Sequence, residues 1–259
     1  MNKRVYYYEN DNLKDKVSTA RYIFALKFLS NKIVADIGCG ARKGPFIIAK
    51  TAKEVVGLDI SAEAVIYGAK TWPGNNIRHI VSDARNIALK NSLFDAVLSF
   101  EVIEHVEKYK DYLKEVFRIL KEDAVFIIST PNRLIVSPDG SVSNPDHVRE
   151  FDLEEFADIL KGFFPQVIIY GQFPSQRVMT AEACREKNLR LIGKLPRKLK
   201  AIFSDEFKDI ILRKYHYLML RLFKKINEEK IDENDFLIST SDLNQARYFI
   251  AICKKQSLG

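Results

Sequence analysis

Cysteine is scarce in this chain. Its 259 residues include three, Cys39, Cys184 and Cys253. They are scattered, odd in number and without zinc-motif spacing. That excludes a disulfide framework and predicts a reducing, cytoplasmic setting. No run of eighteen apolar residues occurs, and the start has no signal-peptide pattern, so a soluble, non-exported protein is expected. Internal repeats and low-complexity tracts are also missing, which excludes solenoids and arrays.

What is present is basic charge, in one place. The formal net charge is +7. Residues 185–225 hold thirteen Lys or Arg against four Asp or Glu, a local balance of +9, which leaves the remainder near −2. Apolar residues recur through this segment at 207, 211, 215, 218, 222 and 226, the spacing of one helix face. Residues 175–230 therefore read as helical and basic. Such a face can be solvated over an apolar stripe packed on the core. It can equally meet an anionic partner: nucleic acid, a membrane surface or a diphosphate-linked carrier.

The rest alternates. Residues 16–29 fit a helix. Apolar runs at 33–37, 54–61, 94–100 and 124–130, with "NIRHIVSDA", "PQVIIYG" and "ARYFIAICKK", read as strands. Helical patterns fall between them, notably "SAEAVIYGAK", "YKDYLKEVFRIL" and "EEFADIL". Alternation at this spacing predicts a doubly wound, mainly parallel α/β sheet. The core is expected at 1–172 plus 244–259, with a helical insertion at 173–243.

The most informative stretch is "IVADIGCGARKG", residues 33–44. An apolar run ends in Asp36 and then enters Gly38, Gly40 and Gly44. Glycines after a strand let the backbone take positive φ and approach a ligand closely. Gly44-Pro45 reads as a helix start, leaving Ala41-Arg42-Lys43 as loop. Nucleotide, dinucleotide and purely structural turns all use glycine. The acids narrow the choice. Asp59 ends the second strand, where a carboxylate can accept from a ribose diol. Asp83 ends the third, where an acid can receive an adenine amino group. Asp36 would repel a pyrophosphate and attract a ligand carrying an ammonium and a sulfonium. Each acid alone could be only a cap or turn residue; three at successive strand ends form a pattern.

The blocks "VADIGCG", "VVGLDIS", "VSDARNI", "NSLFDAVLSFEVIEHV", "EVFRILKEDAVFIISTPNR" and "NPDHVREFDLEEF" together resemble class I S-adenosylmethionine-dependent methyltransferases. The likeness runs over residues 18–172 and the last strand. It is strongest to the branch of ubiquinone-type O-methyltransferases. It implies a seven-stranded sheet with an antiparallel last strand, and S-adenosylmethionine as cofactor. Asp36, Gly38, Cys39 and Gly40 would line the methionine end. Asp59 would hold the ribose, with Ile60 beside the adenine and Asp83 and Ala84 at its edge. Phe100 would flank the cofactor, and Arg21 would reach its carboxylate. Arg42 stands where such proteins often have a third glycine.

"FEVIEHV" places Glu101, Glu104 and His105 at i, i+3 and i+4, one face if the segment is helical. His147, in "PDHVREF", would overhang the same mouth. His105 or His147 could serve as general base toward a substrate hydroxyl. Glu101, Glu104, His105 and His147 could instead hold a divalent metal, a set similar to that of small-RNA 2′-O-methyltransferases. A third reading gives these residues only capping and bracing work. The expected function is methyl transfer, O-directed, to an acceptor the sequence does not name. The alternatives are a metal-dependent RNA 2′-O-methyltransferase, a non-catalytic adenosyl- or RNA-binding module, and a nicotinamide oxidoreductase. Asp36 and "EVIEH" speak against the last.

Overall fold

The computed structural model describes residues 13–140, 142, 144–181 and 231–256. The chain divides into two compact units: Met1–Phe173 with Phe236–Gly259, and Pro174–Asp235. The strongly basic stretch 185–225 lies outside the described residues.

In the first unit, α1 (Leu13–Leu26) precedes β1 (Ile33–Ile37), α2 (Gly44–Ile48), β2 (Glu54–Asp59), α3 (Ala62–Thr71) and β3 (Ile77–Val81). Then come β4 (Phe94–Phe100), α4 (Tyr109–Ile119), β5 (Leu120–Pro131), α5 (Arg133–Val136) and α6 (Leu153–Lys161). The last strands are β6 (Gln166–Pro174), β7 (Phe236–Ser239) and β8 (Tyr248–Lys254). The sheet order is β3-β2-β1-β4-β5-β8-β6-β7. Strands β3 to β5 run parallel along that order. β8 is antiparallel to β5 and β6, as the resemblance implied.

The sheet has eight strands rather than seven. The addition is β7, four residues long, inside the stretch expected to be insertion. So short a run carries no periodicity to read.

Apolar residues cover both sheet faces, which is why these strands read as unbroken runs. On β5, Phe126 and Ile128 join one core with Phe156, Phe164 and Phe249. Val125 and Ile127 join the other with Leu29, Ile48 and Ile252. The order reverses between β1 and β4, the switch point at whose strand ends ligands bind in such sheets. Among the described residues, no helix is long and apolar enough to cross a membrane.

Candidate active site

Two segments leave the sheet at the switch point: the glycine turn after β1 and residues 101–106 after β4. In the turn, Gly38 and Gly40 have φ of 71° and 58°, backbone that glycine adopts without a Cβ penalty. Gly44 is different. It opens α2, and a Cβ there would lie 2.3 Å from Tyr22 Cζ. Its role is clearance for Tyr22, a function the sequence pattern did not expose.

Tyr22, on α1, donates its hydroxyl to the Asp36 carboxylate, 2.9 and 3.2 Å from the two oxygens. Asp36 is fully buried. Burial, with a smaller push from Asp59, raises its pKa to about 8, and the Tyr22 hydrogen bond works in the opposite sense. Cys39, also buried, has its thiol pushed up by burial and by Asp36 and Asp59. Asp59 is fixed by the chain around it: Gly40 N–H donates to one oxygen at 2.9 Å and Ser61 N–H to the other at 2.8 Å. Beside it, Ile60 is 63% exposed, an apolar surface open to a planar ligand. Ala84 is half-buried. Asp83 is engaged by the Arg85 guanidinium at 2.6 and 3.0 Å, which holds its carboxyl below the usual range. Phe100 is buried, edge to face with Tyr22 at 5.0 Å. Arg42 turns outward, half-exposed, 3.6 Å from Asp15.

Arg21 corrects an expectation. It is 2% exposed. Its Nε donates to Gln172 Oε1 at 2.6 Å, its Nη1 lies 3.2 Å from Glu101 Oε1, and it stacks on Tyr248 at 4.3 Å. With its charge satisfied inside the fold, it braces α1 against β4, β6 and β8 rather than facing a ligand carboxylate.

The segment after β4 does not enter the helix that a shared face would need. Glu101 takes a left-handed φ of 57°, and only a 3-10 turn follows, Ile103–His105. The single helical face for Glu101, Glu104 and His105 is therefore not formed. Glu101 turns to the sheet, accepting from Ser129 Oγ at 2.8 Å as well as pairing with Arg21.

Glu104, His105 and His147 do converge. One ligand atom from each lies within 4.8 Å of the others. The backbone explains why: Val148 and Arg149 N–H groups donate to the Glu104 carbonyl at 2.8 and 3.2 Å, pinning the loop after β5 onto the turn after β4. The imidazole rings meet edge to face at 4.8 Å. His105 Nδ1–H donates to the Asp146 carbonyl at 2.8 Å, which makes Nε2 its basic nitrogen. His147 Nδ1 pairs with Glu150 Oε1 at 2.7 Å, and Glu150 also accepts from Ser137. Glu104 is fully buried. Thr130 lies 3.4 Å from one of its oxygens, and the other, Oε1, has no hydrogen-bond partner among the described residues. Burial, and then the Glu101 charge, push its pKa well above the ordinary value. Tyr22, Gln172 and Glu150 were not among the expected site residues. A polar residue on the apolar face of a helix or strand was the only signal for the first two.

The family description "Methyltransferase domain" matches residues 35–128. A protein of Mycolicibacterium smegmatis named "Probable S-adenosylmethionine-dependent methyltransferase" is 35% identical over 129 residues, 49% of this chain and 49% of that protein. A ubiquinone biosynthesis O-methyltransferase of Roseobacter denitrificans is 29% identical over 119 residues, 44% of this chain and 47% of its own. The chain thus spans about half the length of the relatives it matches. In structure, it resembles a SAM-dependent methyltransferase from Archaeoglobus fulgidus with TM-score 0.56 at 20% identity, covering 93% of this chain and 92% of the other.

Proposed function

We propose that the chain, whose residues 35–128 match a methyltransferase domain, transfers the methyl group of S-adenosylmethionine to a hydroxyl group. The observation that carries the O-directed part is the His105–His147 pair, held together just after β4, a strand of the switch point, with His105 Nε2 as its basic nitrogen.

The residues present suit the donor. Asp59, fixed by two N–H groups, keeps lone pairs for a ribose diol. Ile60 offers an exposed apolar face to the adenine. A Cβ at Gly40 would meet nothing within 4 Å, so the turn is open on that side. Asp83 can meet the adenine edge on exchanging its Arg85 partner. When bound, the donor supplies an electrophilic methyl on a good leaving group. The protein then has little acid–base chemistry to do: it must hold the acceptor in line and take one proton. His105 takes that proton in this reading, with His147 ordering the loop through Glu150.

A second reading is favoured by two observations. Glu104, His105 and His147 offer three ligand atoms within 4.8 Å, and Glu104 Oε1 lacks a partner among the described residues. A divalent ion there would relieve that buried oxygen and polarise the acceptor hydroxyl. Glu101 would not be a ligand, because its carboxylate is committed to Arg21 and Ser129.

One experiment tests both. Transfer of labelled methyl from S-adenosylmethionine to a panel of hydroxylated small molecules, lipid-linked sugars and RNA is measured with and without chelator. Transfer that survives chelation, and falls at least about 100-fold in His105→Ala, supports the base. Transfer lost on chelation and restored by a divalent ion supports the metal. Normal turnover by His105→Ala overturns both.

A further inference from the structure

The environment of Asp36 goes beyond holding a ligand. Three separate pieces of chain build the Tyr22–Asp36 pair. α1 brings Tyr22, whose hydroxyl is 2.9 and 3.2 Å from the two carboxylate oxygens. The start of α2 brings Gly44, where a Cβ would sit 2.4 Å from the Tyr22 oxygen. β4 brings Phe100, edge to face on the Tyr22 ring at 5.0 Å. Asp36 itself is fully buried. The ionisable groups around this pair are Cys39 on the turn, Asp59 at the end of β2 and Arg42 on the loop. Arg42 is half-exposed and paired with Asp15.

The charge balance decides what this arrangement can do. A phenol has one hydrogen to donate, which supports an ionised carboxylate but does not neutralise it. Asp59 is a second acid nearby, and burial raises the Asp36 pKa to about 8. In the ligand-free protein, burial and Asp59 therefore favour the protonated form of Asp36. A cation brought to the glycine turn favours the ionised form in this poorly solvated place.

We propose that Tyr22 is a positioning residue for the methyl donor, and that the Tyr22–Asp36 pair couples binding of the donor's cationic end to release of a proton. The inference rests on the turn being the donor site. Linkage makes it reciprocal: if the cation drives the proton off, acid must weaken donor binding.

The test is calorimetric binding of S-adenosylhomocysteine to the full chain at pH 6.5, in several buffers of different ionisation enthalpy. At that pH an ordinary α-amino group is still protonated, so the ligand contributes little. The wild-type protein should release roughly half a proton or more per site. Asp36→Asn should release none. Tyr22→Phe keeps the ring packing and removes only the hydroxyl. It should bind about tenfold more weakly, and the acid side of its affinity profile should move to higher pH. Gly44→Ala, which crowds the same ring, should move the profile the same way. A uniform loss of affinity with an unmoved pH profile would mean a merely structural Tyr22 and overturns the inference. So does proton release equal in wild type and Asp36→Asn. No binding by wild type at any pH overturns the donor reading itself, an outcome distinct from binding without proton release.

Discussion

At the scale of single residues, the glycine turn separates two reasons for glycine that look identical in sequence. Gly38 and Gly40 both sit at positive φ. A Cβ on Gly38 would also lie 2.3 Å from Val102 Cγ2, whereas one on Gly40 meets nothing within 4 Å. Gly40→Ala should therefore lose only the left-handed cost, about 1–2 kcal/mol. Gly38→Ala should lose about 1–3 kcal/mol more through overpacking. Chemical denaturation of both variants checks the order, and equal losses would show that Val102 yields freely. Binding should rank the other way per unit of stability lost. Gly40→Ala places a methyl on the open side of the turn and should weaken S-adenosylhomocysteine more than its small stability loss suggests.

At the scale of elements, legibility followed the length and locality of each signal. α4 was readable because Tyr112, Leu113, Val116 and Ile119 form one buried stripe. β1, β4 and β5 were readable as apolar runs buried on both faces. α2 starts at Gly44-Pro45 as expected, and it already ends at Ile48. Asn76 Nδ2 donates to the Ala49 and Ala52 carbonyls at 3.0 and 3.1 Å, a partner distant in sequence. The stretch after β4 failed as a helix for a like reason: Glu101 is drawn toward Ser129 and Arg21. The acids at the ends of β1, β2 and β3 were legible as a set, but Tyr22 over Asp36 was not, because nothing local links α1 to that turn. One long-range clamp is testable. Glu115 accepts from Ile87 N–H at 2.7 Å and from Arg118, while Arg118 donates to the Ile87 and Leu89 carbonyls. The Arg118 hydrogen bond is the main reason the Glu115 carboxyl is held below its usual range. A depressed folded-state pKa gives stability that is present above the unfolded value, about 4.3, and lost as pH falls through the folded one. Glu115→Gln should thus melt lower than wild type at pH 7, and the gap should narrow as pH falls below the unfolded value. A gap of constant size across the acid range would mean the carboxylate's charge is not what holds the clamp.

At the scale of the whole molecule, charge and chemistry are segregated. The unit bearing the glycine turn and the histidine pair is joined to a segment whose residues 185–225 carry a balance of +9, while the remainder is near −2. A charge excess so confined is a feature an anionic partner could read. We propose an anionic membrane surface as that partner, because apolar positions interleave with the Lys and Arg from 207 to 226, a composition suited to an interface. Each basic residue near such a surface contributes about 1 kcal/mol, and the attraction is screened within about 10 Å at 0.1 M salt. The full chain should therefore sediment with vesicles of mixed phosphatidylserine and phosphatidylcholine, and not with phosphatidylcholine alone. Raising salt from about 50 to about 300 mM should release most of it, as the screening length shortens. Replacing Lys194, Arg197, Lys198 and Lys200 together by Gln should weaken vesicle binding by at least about 100-fold. Affinity of that variant for S-adenosylhomocysteine should not change, since the donor site belongs to the other unit. Binding to RNA but not to vesicles would replace the membrane by a nucleic acid. Binding to neither would leave the basic segment a solvated face.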